Sequence, residues 1–368
     1  MQEFSTSSGI LTIDLAALAD NYRLFSQKAG DGRLVAGVVK ANAYGLGLKE
    51  VSGKLETLGC PQFFVATLDE ALALRTYTPE TPIAVLGGLF TGAEDTYIHH
   101  NIIPVLNTPD DIARWQKKAK QGGKQLSAFL HLDTGMNRLG LSKDESHQVI
   151  KKPDLLEGID VQLVMSHFAC ADEAEHPLTR KQAHSFANLA QHFPNAKKSL
   201  ANSSGLFRET SFHHDMVRPG FSLYGGNPTP ETANPVKPVV SLKTKILQIR
   251  RCKKDESIGY GASHIFEKDT VTATVALGYA DGFLRSTSSK ATLYWNNRPC
   301  PVIGRVSMDL VTVDLSKIEN PPSQGDMLEV LGPNQSIDDL AQAAGTIGYE
   351  ILTSLGSRYK RNYINTEI

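Results

Sequence analysis

The chain has 368 residues, of which 41% are hydrophobic, and its 38 basic and 39 acidic side chains nearly cancel. A near-neutral chain of this length is typical of about two globular domains, and its charge balance argues against a nucleic-acid or anionic-membrane partner. The first residues lack a basic segment followed by a long apolar run, and no run of about 18 apolar residues occurs. Neither a signal peptide nor a membrane helix is therefore expected.

The cysteines are far apart in the sequence, at Cys60, Cys170, Cys252 and Cys300. Their spacing matches neither a metal-binding motif nor a disulfide framework, so no metal site is predicted. Reduced thiols are typical of a cytoplasmic protein, and this location is the expectation.

Short apolar runs alternate with longer amphipathic stretches over the first 225 residues. Most runs lack polar–apolar alternation, and this absence is typical of parallel strands that are buried on both faces. Helix signals lie between them: Thr67 and Glu70 can form a capping box, and Thr108 precedes a proline suited to a first helical turn. Eight strands with intervening helices predict a (β/α)8 TIM-like barrel, although the count also fits a doubly wound open sheet. The runs are LVAGVV (34–39), FFVAT (63–67), PIAVLG (82–87), IIPVL (102–106), LSAFLHL (126–132), VQLVMSH (161–167), KKSLANS (197–203) and MVRPGFSLYG (216–225).

The pattern changes from about residue 236, where strand-like runs follow one another closely and many alternate apolar with polar residues. Little helical pattern returns before SIDDLAQAAG (336–345), and a proline-rich linker precedes the change. The sequence therefore predicts a barrel domain at 11–232 and a β-rich C-terminal domain at 233–368, with residues 1–10 expected to pack on the latter.

Polar residues follow several predicted barrel strands. The first run ends at Lys40, the sixth at His167, the seventh at Asn202 and Ser203, and the eighth near Arg218. Catalytic groups of such barrels lie at the carboxyl ends of the strands, so these side chains are expected to share one mouth. A lysine amine that is desolvated there has a lowered pKa and becomes nucleophilic, and such amines form Schiff bases with carbonyls, including pyridoxal phosphate.

Seven motifs resemble those of the bacterial alanine racemases and follow the same order across nearly the whole chain. They are VVKANAYGLG, HLDTGMNRLG, SHFACAD, ANSSG, MVRPGFSLYG, LGYADGF and VIGRVSMDL. The resemblance implies a homodimer in which each barrel carries pyridoxal phosphate and the β domain of the partner covers its mouth. It implies racemisation of alanine, which supplies D-alanine for the bacterial cell wall.

The resemblance also implies residue roles. Lys40 corresponds to the Schiff-base lysine and to the base on the D-isomer face, and Tyr279 of the other subunit to the base on the L-isomer face. Tyr44, Ser203 and the backbone near Gly220 and Phe221 correspond to the phosphate site, with Asn202 beside it. His167 and Arg218 are expected to form a hydrogen-bonded chain behind Tyr279 and the cofactor. The substrate carboxylate is assigned to Arg138 and to the backbone of Met308 from the partner, with Asp309 and His131 in support.

Arg218 distinguishes the racemase from its nearest rival. The corresponding arginine of the family faces the pyridine nitrogen, and a guanidinium has only donors to offer. The nitrogen then stays unprotonated and the ring is a weaker electron sink. Pyridoxal-phosphate decarboxylases of the same architecture usually place a carboxylate there. A broader amino-acid racemase, acting for example on serine, stays open, whereas single-barrel cofactor carriers lack a counterpart of Tyr279.

Three positions depart from the family pattern. Many members carry a carbamylated lysine where this chain has His131, and a neutral imidazole, or an anion bound beside it, is expected to orient Arg138 instead. Ser307 replaces a common cysteine. The tyrosine that often contacts the phosphate near the C-terminus falls on Ser357, and Tyr359 is expected to take over that contact.

Overall fold

The structure is a computed structural model that describes residues 6–366. Residues 1–5 lie outside this range, so their predicted packing on the second domain does too. Within residues 6–366, no helix is long and apolar enough to cross a membrane.

All eight predicted barrel strands form, although most are shorter than the apolar runs. The first run is interrupted at Ala36 and gives two short strands, β2 and β3. Seven strands make a parallel sheet in chain order from β3 to β9, and β10 pairs in parallel with β2. The strands are β2 Leu34–Val35, β3 Gly37–Val38, β4 Phe63–Val65, β5 Ile83–Val85, β6 Ile102–Leu106, β7 Leu126–His131, β8 Ile159–Met165, β9 Lys197–Ser199 and β10 Met216–Val217.

Backbone hydrogen bonds close this sheet into a barrel. Asp215 N–H donates to Lys198 O and Arg218 N–H donates to Ala201 O, both at 3.0 Å, which joins β10 to the β9 side. On its other side β10 pairs with β2, so the circle is complete. The predicted barrel is confirmed, and the open doubly wound sheet is wrong for this chain.

Helices connect the barrel strands, and the predicted N-terminal signals are present. Glu70 N–H donates to Thr67 Oγ1 at 3.3 Å, and Asp111 N–H donates to Thr108 Oγ1 at 3.0 Å, each within a complete capping box. The helices of this part are Leu15–Ala29, Leu48–Thr57, Leu68–Arg75, Glu94–His99, Pro109–Gly122, Lys143–Lys151, Pro177–Ala190 and Ser203–Leu206.

The second domain is built on an eight-stranded sheet whose long strand β11 pairs with three neighbours. All pairings but one within this sheet are antiparallel, as the polar–apolar alternation predicts. The C-terminal strands are β11 Val240–Cys252, β12 Ser257–Ile258, β13 His264–Ile265, β14 Thr270–Val275, β15 Thr292–Trp295, β16 Arg298–Ile303, β17 Val311–Asp314, β18 Met327–Leu331 and β19 Lys360–Ile364. The helices Ile337–Ala344 and Gly348–Ser354 lie between β18 and β19 in the chain and pack against each other.

The first strand of the chain, β1 Gly9–Asp14, belongs to this second sheet. It pairs antiparallel with β11 and parallel with β19, so the chain begins in the β domain before it enters the barrel. Its residues alternate between buried and partly buried positions, which is typical of a strand with one buried face. The predicted barrel range from residue 11 therefore includes part of a strand of the other domain.

Candidate active site

The segment after Lys40 has an unusual backbone. Four successive residues that are not glycine, Ala41 to Tyr44, have φ between 52° and 55°, so the chain makes a left-handed turn there. Left-handed helical backbone costs roughly 1–2 kcal/mol per residue for an L-amino acid. Hydrogen bonds from Ala43 N–H to Val39 O and from Gly45 N–H to Ala41 O hold the turn together. Such strain is typical of functional sites.

Glu70 fixes the start of this turn, and the sequence reasoning assigned it only a capping role. One carboxylate oxygen accepts from Ala41 N–H at 2.6 Å and the other from Ala66 N–H at 2.8 Å. The capping box of the helix Leu68–Arg75 therefore also orients the residue beside Lys40.

Lys40 is a partly buried amine that makes no hydrogen bond or salt bridge with residues 6–366. Desolvation lowers the pKa of Lys40 most, and the positive charge of Arg138 lowers it further. The negative charge of Glu70 raises this pKa and offsets part of the shift. A lowered pKa increases the fraction of neutral amine, which is the form that attacks carbonyls and accepts protons.

Arg218 is a buried guanidinium that has no acidic partner among the described residues. It donates to Ser199 Oγ and, at 2.5 Å, to Ser166 O. Burial lowers its pKa to about 9, so it stays cationic at neutral pH. A buried charge without a counter-ion is costly, which marks Arg218 as a group kept for a ligand or a reaction.

His131 is a buried neutral histidine whose tautomer can be assigned. The Asn107 amide group donates to Leu86 O and Val105 O, so its oxygen faces His131 Nδ1 at 2.8 Å and accepts a proton from it. Desolvation, aided by the charge of Arg218, lowers the pKa of His131 to about 4. The imidazole therefore presents an unprotonated Nε2 at neutral pH. Asn107 was missed because only the fold brings it to His131.

His167 lies at the same mouth and is also neutral, because desolvation and then the charge of Arg218 hold its pKa well below the usual value. No hydrogen bond joins the His167 ring to Arg218 among the contacts of residues 6–366. The predicted chain through these two side chains therefore stays a prediction.

The predicted phosphate site is a set of hydroxyls and backbone amides around Gly220. Ser203 Oγ accepts from Gly220 N–H at 3.0 Å and from Ser222 N–H at 3.4 Å, which leaves its own proton available to an anion. A Cβ added at Gly220 would lie 2.4 Å from the Tyr44 hydroxyl, so only glycine leaves this space open. Asn202 caps the neighbouring short helix by accepting from Gly205 N–H at 2.9 Å.

Two polar groups of this pocket have no partner among the described residues. They are the buried Ser222 hydroxyl and the Tyr44 hydroxyl, whose pKa is raised by burial so that it stays protonated. Neutral donors around an open space beside a reactive amine fit the phosphate of pyridoxal phosphate. Tyr349, which the sequence reasoning missed, also contributes: its ring stacks on Phe221 at 4.1 Å and lies 6.1 Å from the Tyr44 ring.

Tyr359 lies in a different place from this pocket. Its ring packs against Gly9 of β1, and its buried hydroxyl has no hydrogen-bond partner within residues 6–366. The tyrosine ring next to Tyr44 and Phe221 is that of Tyr349. The phosphate contact of Tyr359 therefore has no support from these contacts and stays a prediction.

Arg138 is exposed and forms no hydrogen bond or salt bridge with residues 6–366. Its loop is built by Asp133, whose carboxylate accepts from Gly135 N–H at 2.9 Å and from Met136 N–H at 3.0 Å. An unpaired guanidinium on a fixed loop suits a carboxylate ligand.

Tyr279 and Met308 form one unit in the second domain. Tyr279 N–H donates to Ser307 O at 3.1 Å, and Ala280 N–H donates to Met308 O at 3.0 Å. A Cβ added at Gly278 would lie 2.1 Å from Met308 O, so this approach requires glycine. The side chains point outward, since Tyr279 is 44% and Met308 51% exposed.

Charged residues brace this unit from one side. Arg358 forms a salt bridge with Asp309 at 2.5 Å and lies 3.6 Å from Asp281, which in turn accepts from Gly278 N–H at 2.9 Å. The predicted supporting position of Asp309 thus has a partner in Arg358, which the sequence reasoning did not identify.

Comparisons with known proteins agree with this geometry. Residues 13–228 match the family model of the alanine racemase N-terminal domain, and residues 239–363 that of the alanine racemase C-terminal domain. A protein of Rhodospirillum rubrum named alanine racemase is 47% identical over 97% of this chain and 96% of its own length. A protein of Mesorhizobium japonicum named catabolic alanine racemase is 44% identical over 98% of this chain and 94% of its own length.

Solved structures show the same similarity. The alanine racemase of Bartonella henselae, described with covalently bound pyridoxal phosphate, superposes with a TM-score of 0.94 at 39% identity, over 97% of this chain and 100% of that one. The biosynthetic alanine racemase of Pseudomonas aeruginosa superposes with a TM-score of 0.89 at 34% identity, over 97% of this chain and 99% of that one.

Proposed function

The chain belongs to the alanine racemase family, and from this premise we propose that Lys40 and Tyr279 are its two bases, contributed by different subunits of a homodimer. Its reaction is the pyridoxal-phosphate-dependent interconversion of L-alanine and D-alanine, which makes it an isomerase. The observation that supports a shared site is the contrast between Lys40, partly buried at the barrel mouth, and Tyr279, 44% exposed on the other domain.

The cofactor would be held at the mouth of the barrel. Lys40 Nζ would carry it covalently, the hydroxyls of Tyr44 and Ser203 and the amides after Gly220 would bind its phosphate, and Arg218 would face its pyridine nitrogen. When bound, pyridoxal phosphate acidifies the Cα–H bond of an attached amino acid by withdrawing electrons. The Arg218 guanidinium has no acceptor and stays charged, so it cannot transfer a proton to that nitrogen easily.

Two bases on opposite faces allow racemisation without turning the substrate. The Lys40 amine would remove or return the proton on the D-isomer face, and its lowered pKa favours the neutral form that this needs. Tyr279 would act on the L-isomer face. A phenol needs support to act as a base near neutral pH, and the positive charge of Arg218 together with the neutral His167 would supply it.

The substrate carboxylate would lie between two donors. Arg138 is unpaired in the described part of the chain, and Met308 N–H makes no hydrogen bond there either. We propose that His131 orients Arg138, because the assigned tautomer leaves Nε2 as an acceptor for a guanidinium N–H. The alternative is an anion bound beside His131, which an anomalous-scattering map would reveal as a peak next to the imidazole.

The biological role belongs to the same proposal. We propose that the enzyme works in the cytoplasm and supplies D-alanine for the bacterial cell wall. The four unbridged cysteines fit a reducing compartment. The relatives named above are bacterial, and one of the solved structures is described as biosynthetic.

Hydrogen–deuterium exchange tests the two-base mechanism directly. L-alanine and D-alanine are each incubated with the enzyme in D₂O, and deuterium at Cα is followed together with product chirality. Two bases predict that the first product molecules of inverted configuration carry solvent deuterium, in both directions. Release of the decarboxylated amine would contradict the function, and faster turnover of serine than of alanine would show a broader racemase. Direct proton return between faces at early times would contradict the two-base assignment alone.

A further inference from the structure

A group of potential metal ligands lies in the loop that follows β8, outside the proposed catalytic set. The ligand atoms of Cys170, Glu173 and His176 all lie within 4.8 Å of one another. Cys170 is partly exposed, whereas the other three cysteines of the chain are buried. The loop begins at the barrel mouth, three residues after His167.

The backbone of the loop brings these side chains together. Glu173 N–H donates to Cys170 O at 3.2 Å, His176 N–H donates to Glu173 O at 3.3 Å, and Thr179 N–H continues the series to His176 O at 3.2 Å. Side chains three residues apart are nearly eclipsed when the backbone bonds run from i to i+3. The spacing C-x₂-E-x₂-H therefore places three ligands of different chemistry in one column.

Other elements hold this loop in place. Thr179 Oγ1 donates to Cys170 O at 3.0 Å, and Ala169 N–H donates to Gln182 Oε1 at 2.9 Å. Arg208 donates to Ala171 O at 2.8 Å and to the next carbonyl at 2.7 Å. A ligand set on a braced backbone loses little conformational entropy when it binds an ion.

The donor atoms are available. The Cys170 thiol and the Glu173 carboxylate form no hydrogen bond or salt bridge with residues 6–366, and Asp172 adds a further negative charge beside them. His176 Nδ1 accepts from Leu178 N–H at 3.2 Å, as a cap of the following helix. A metal bound to Nδ1 would displace this hydrogen bond, and a metal bound to Nε2 would leave the ring proton on Nδ1, which could then no longer accept. In either case metal binding loses the stabilisation of about one helix cap.

We propose that Cys170, Glu173 and His176 bind a zinc ion, with water in the remaining position. One thiolate, one imidazole and one carboxylate suit Zn²⁺, which prefers tetrahedral sites of such mixed ligands, over Mg²⁺ or Ca²⁺, which prefer oxygen alone. Binding releases the thiol proton to solvent, and no redox step is involved.

Zinc titration of the pyridoxal-phosphate-loaded enzyme without a polyhistidine tag tests the site. Isothermal calorimetry is expected to show one zinc per chain, and diffraction data on both sides of the zinc absorption edge to show a peak between the three side chains. Cys170→Ser, Glu173→Gln and His176→Gln should each weaken binding at least about tenfold, because each removes one of three protein ligands. His184→Gln is the matched control, since His184 is an exposed histidine on the helix Pro177–Ala190 that His176 caps.

The three ligand variants are checked for the cofactor absorbance and the melting temperature of the unsubstituted enzyme, so that loss of fold is not mistaken for loss of the site. A variant that combines the three substitutions is titrated as well, and zinc binding that is equally tight in it and in the unsubstituted enzyme would overturn the proposal. Anomalous density at any other position, with none at Cys170, would overturn it as well.

Discussion

Lys40 and Tyr279 lie in opposite surroundings, although both are assigned to one reaction. The surroundings of Lys40 are held by contacts within the chain: Glu70 fixes the turn beside it, and buried Arg218 and His131 each have hydrogen-bond partners. Around Tyr279 the backbone is equally well braced, but the side chain is 44% exposed. The barrel mouth is a pocket built from residues of one chain, whereas the side chains of the Tyr279–Met308 unit are exposed.

This difference has a physical explanation. A site that must bury a cation and lower the pKa of an amine has to exclude water in every subunit, so its environment is built within the chain. A base that approaches from the opposite face of the substrate can be supplied from outside, provided that its backbone is rigid. The short contact between Gly278 and Met308 supplies that rigidity.

Removing the Lys40 amine from the barrel mouth should have the largest effect on activity. Lys40→Ala deletes the amine that we propose as cofactor carrier and as one of the two bases, so kcat/KM for alanine should fall by at least about 10⁴-fold in both directions. Racemisation is measured by a coupled D-alanine assay. Borohydride reduction followed by peptide mass analysis should place the cofactor on the Lys40 peptide of the unsubstituted enzyme only. Cofactor on another lysine of the unsubstituted enzyme would contradict the assignment.

Removing the Tyr279 hydroxyl should reduce activity less than removing the Lys40 amine. Tyr279→Phe removes one proposed proton-transfer group and leaves the barrel mouth unchanged, so we expect a loss of about 10²–10⁴-fold in racemisation. The visible absorbance of the bound cofactor should not change. Full activity of this variant in both directions would exclude Tyr279 as a base.

Coexpression of Lys40→Ala with Tyr279→Phe chains then tests whether the site is shared. In a symmetric dimer, half of the randomly assembled molecules are hybrids, and each hybrid has one site with both bases. Activity should recover to about a quarter of the unsubstituted level. A site formed within one chain would give no recovery, because every chain lacks one base.

The sequence predicted the candidate reacting groups better than the residues that hold them in place. The strands, their polar ends and the motif order identified the candidate reacting groups, because those groups follow local patterns such as buried runs and turn residues. Their partners depend on tertiary contacts. Glu70 had a sufficient local explanation as a capping residue, and Asn107 meets His131 only through the packing of β6 beside β7.

Two features of the backbone were also beyond the sequence. The segment Ala41 to Tyr44 contains no glycine, and its one asparagine does not predict four successive residues in the left-handed region. Strand β1 precedes the barrel in the chain but pairs with β11, more than 200 residues later. The sequence predicted only residues 1–10 on the second domain, whereas the strand continues to Asp14. The left-handed turn shows tertiary structure overriding local preference.

Glu70→Gln should have a smaller effect that separates positioning from stability. The variant replaces one charged acceptor next to Ala41 N–H, which should cost about 1–3 kcal/mol of stability and lower kcat about tenfold. Because the Glu70 charge raises the pKa of Lys40, its removal should move the acid limb of the kcat profile to lower pH. Glu145→Gln is the matched control, since Glu145 closes the capping box of another helix. An equal loss of kcat in both variants would show that Glu70 acts only through the fold.

The smallest effect concerns the acid side of stability. His131 is neutral in the folded state with a pKa of about 4, whereas an unfolded histidine titrates near 6.5. The unfolded chain therefore binds more protons between these values, and stability is lost as pH falls through that window. The contribution of His131 to this loss should be about 2 kcal/mol between pH 7 and pH 5.

His131→Asn should remove this contribution, so its free energy of unfolding should fall less steeply with acid than that of the unsubstituted enzyme. Urea unfolding at pH 7 and pH 5 measures the difference, with the exposed His184→Asn as the control. His167 responds to acid in the same direction in both proteins, so it cancels in the comparison. An unchanged pH dependence in His131→Asn would mean that the imidazole takes up a proton in the folded enzyme as readily as in the unfolded chain, as an anion bound beside it would favour.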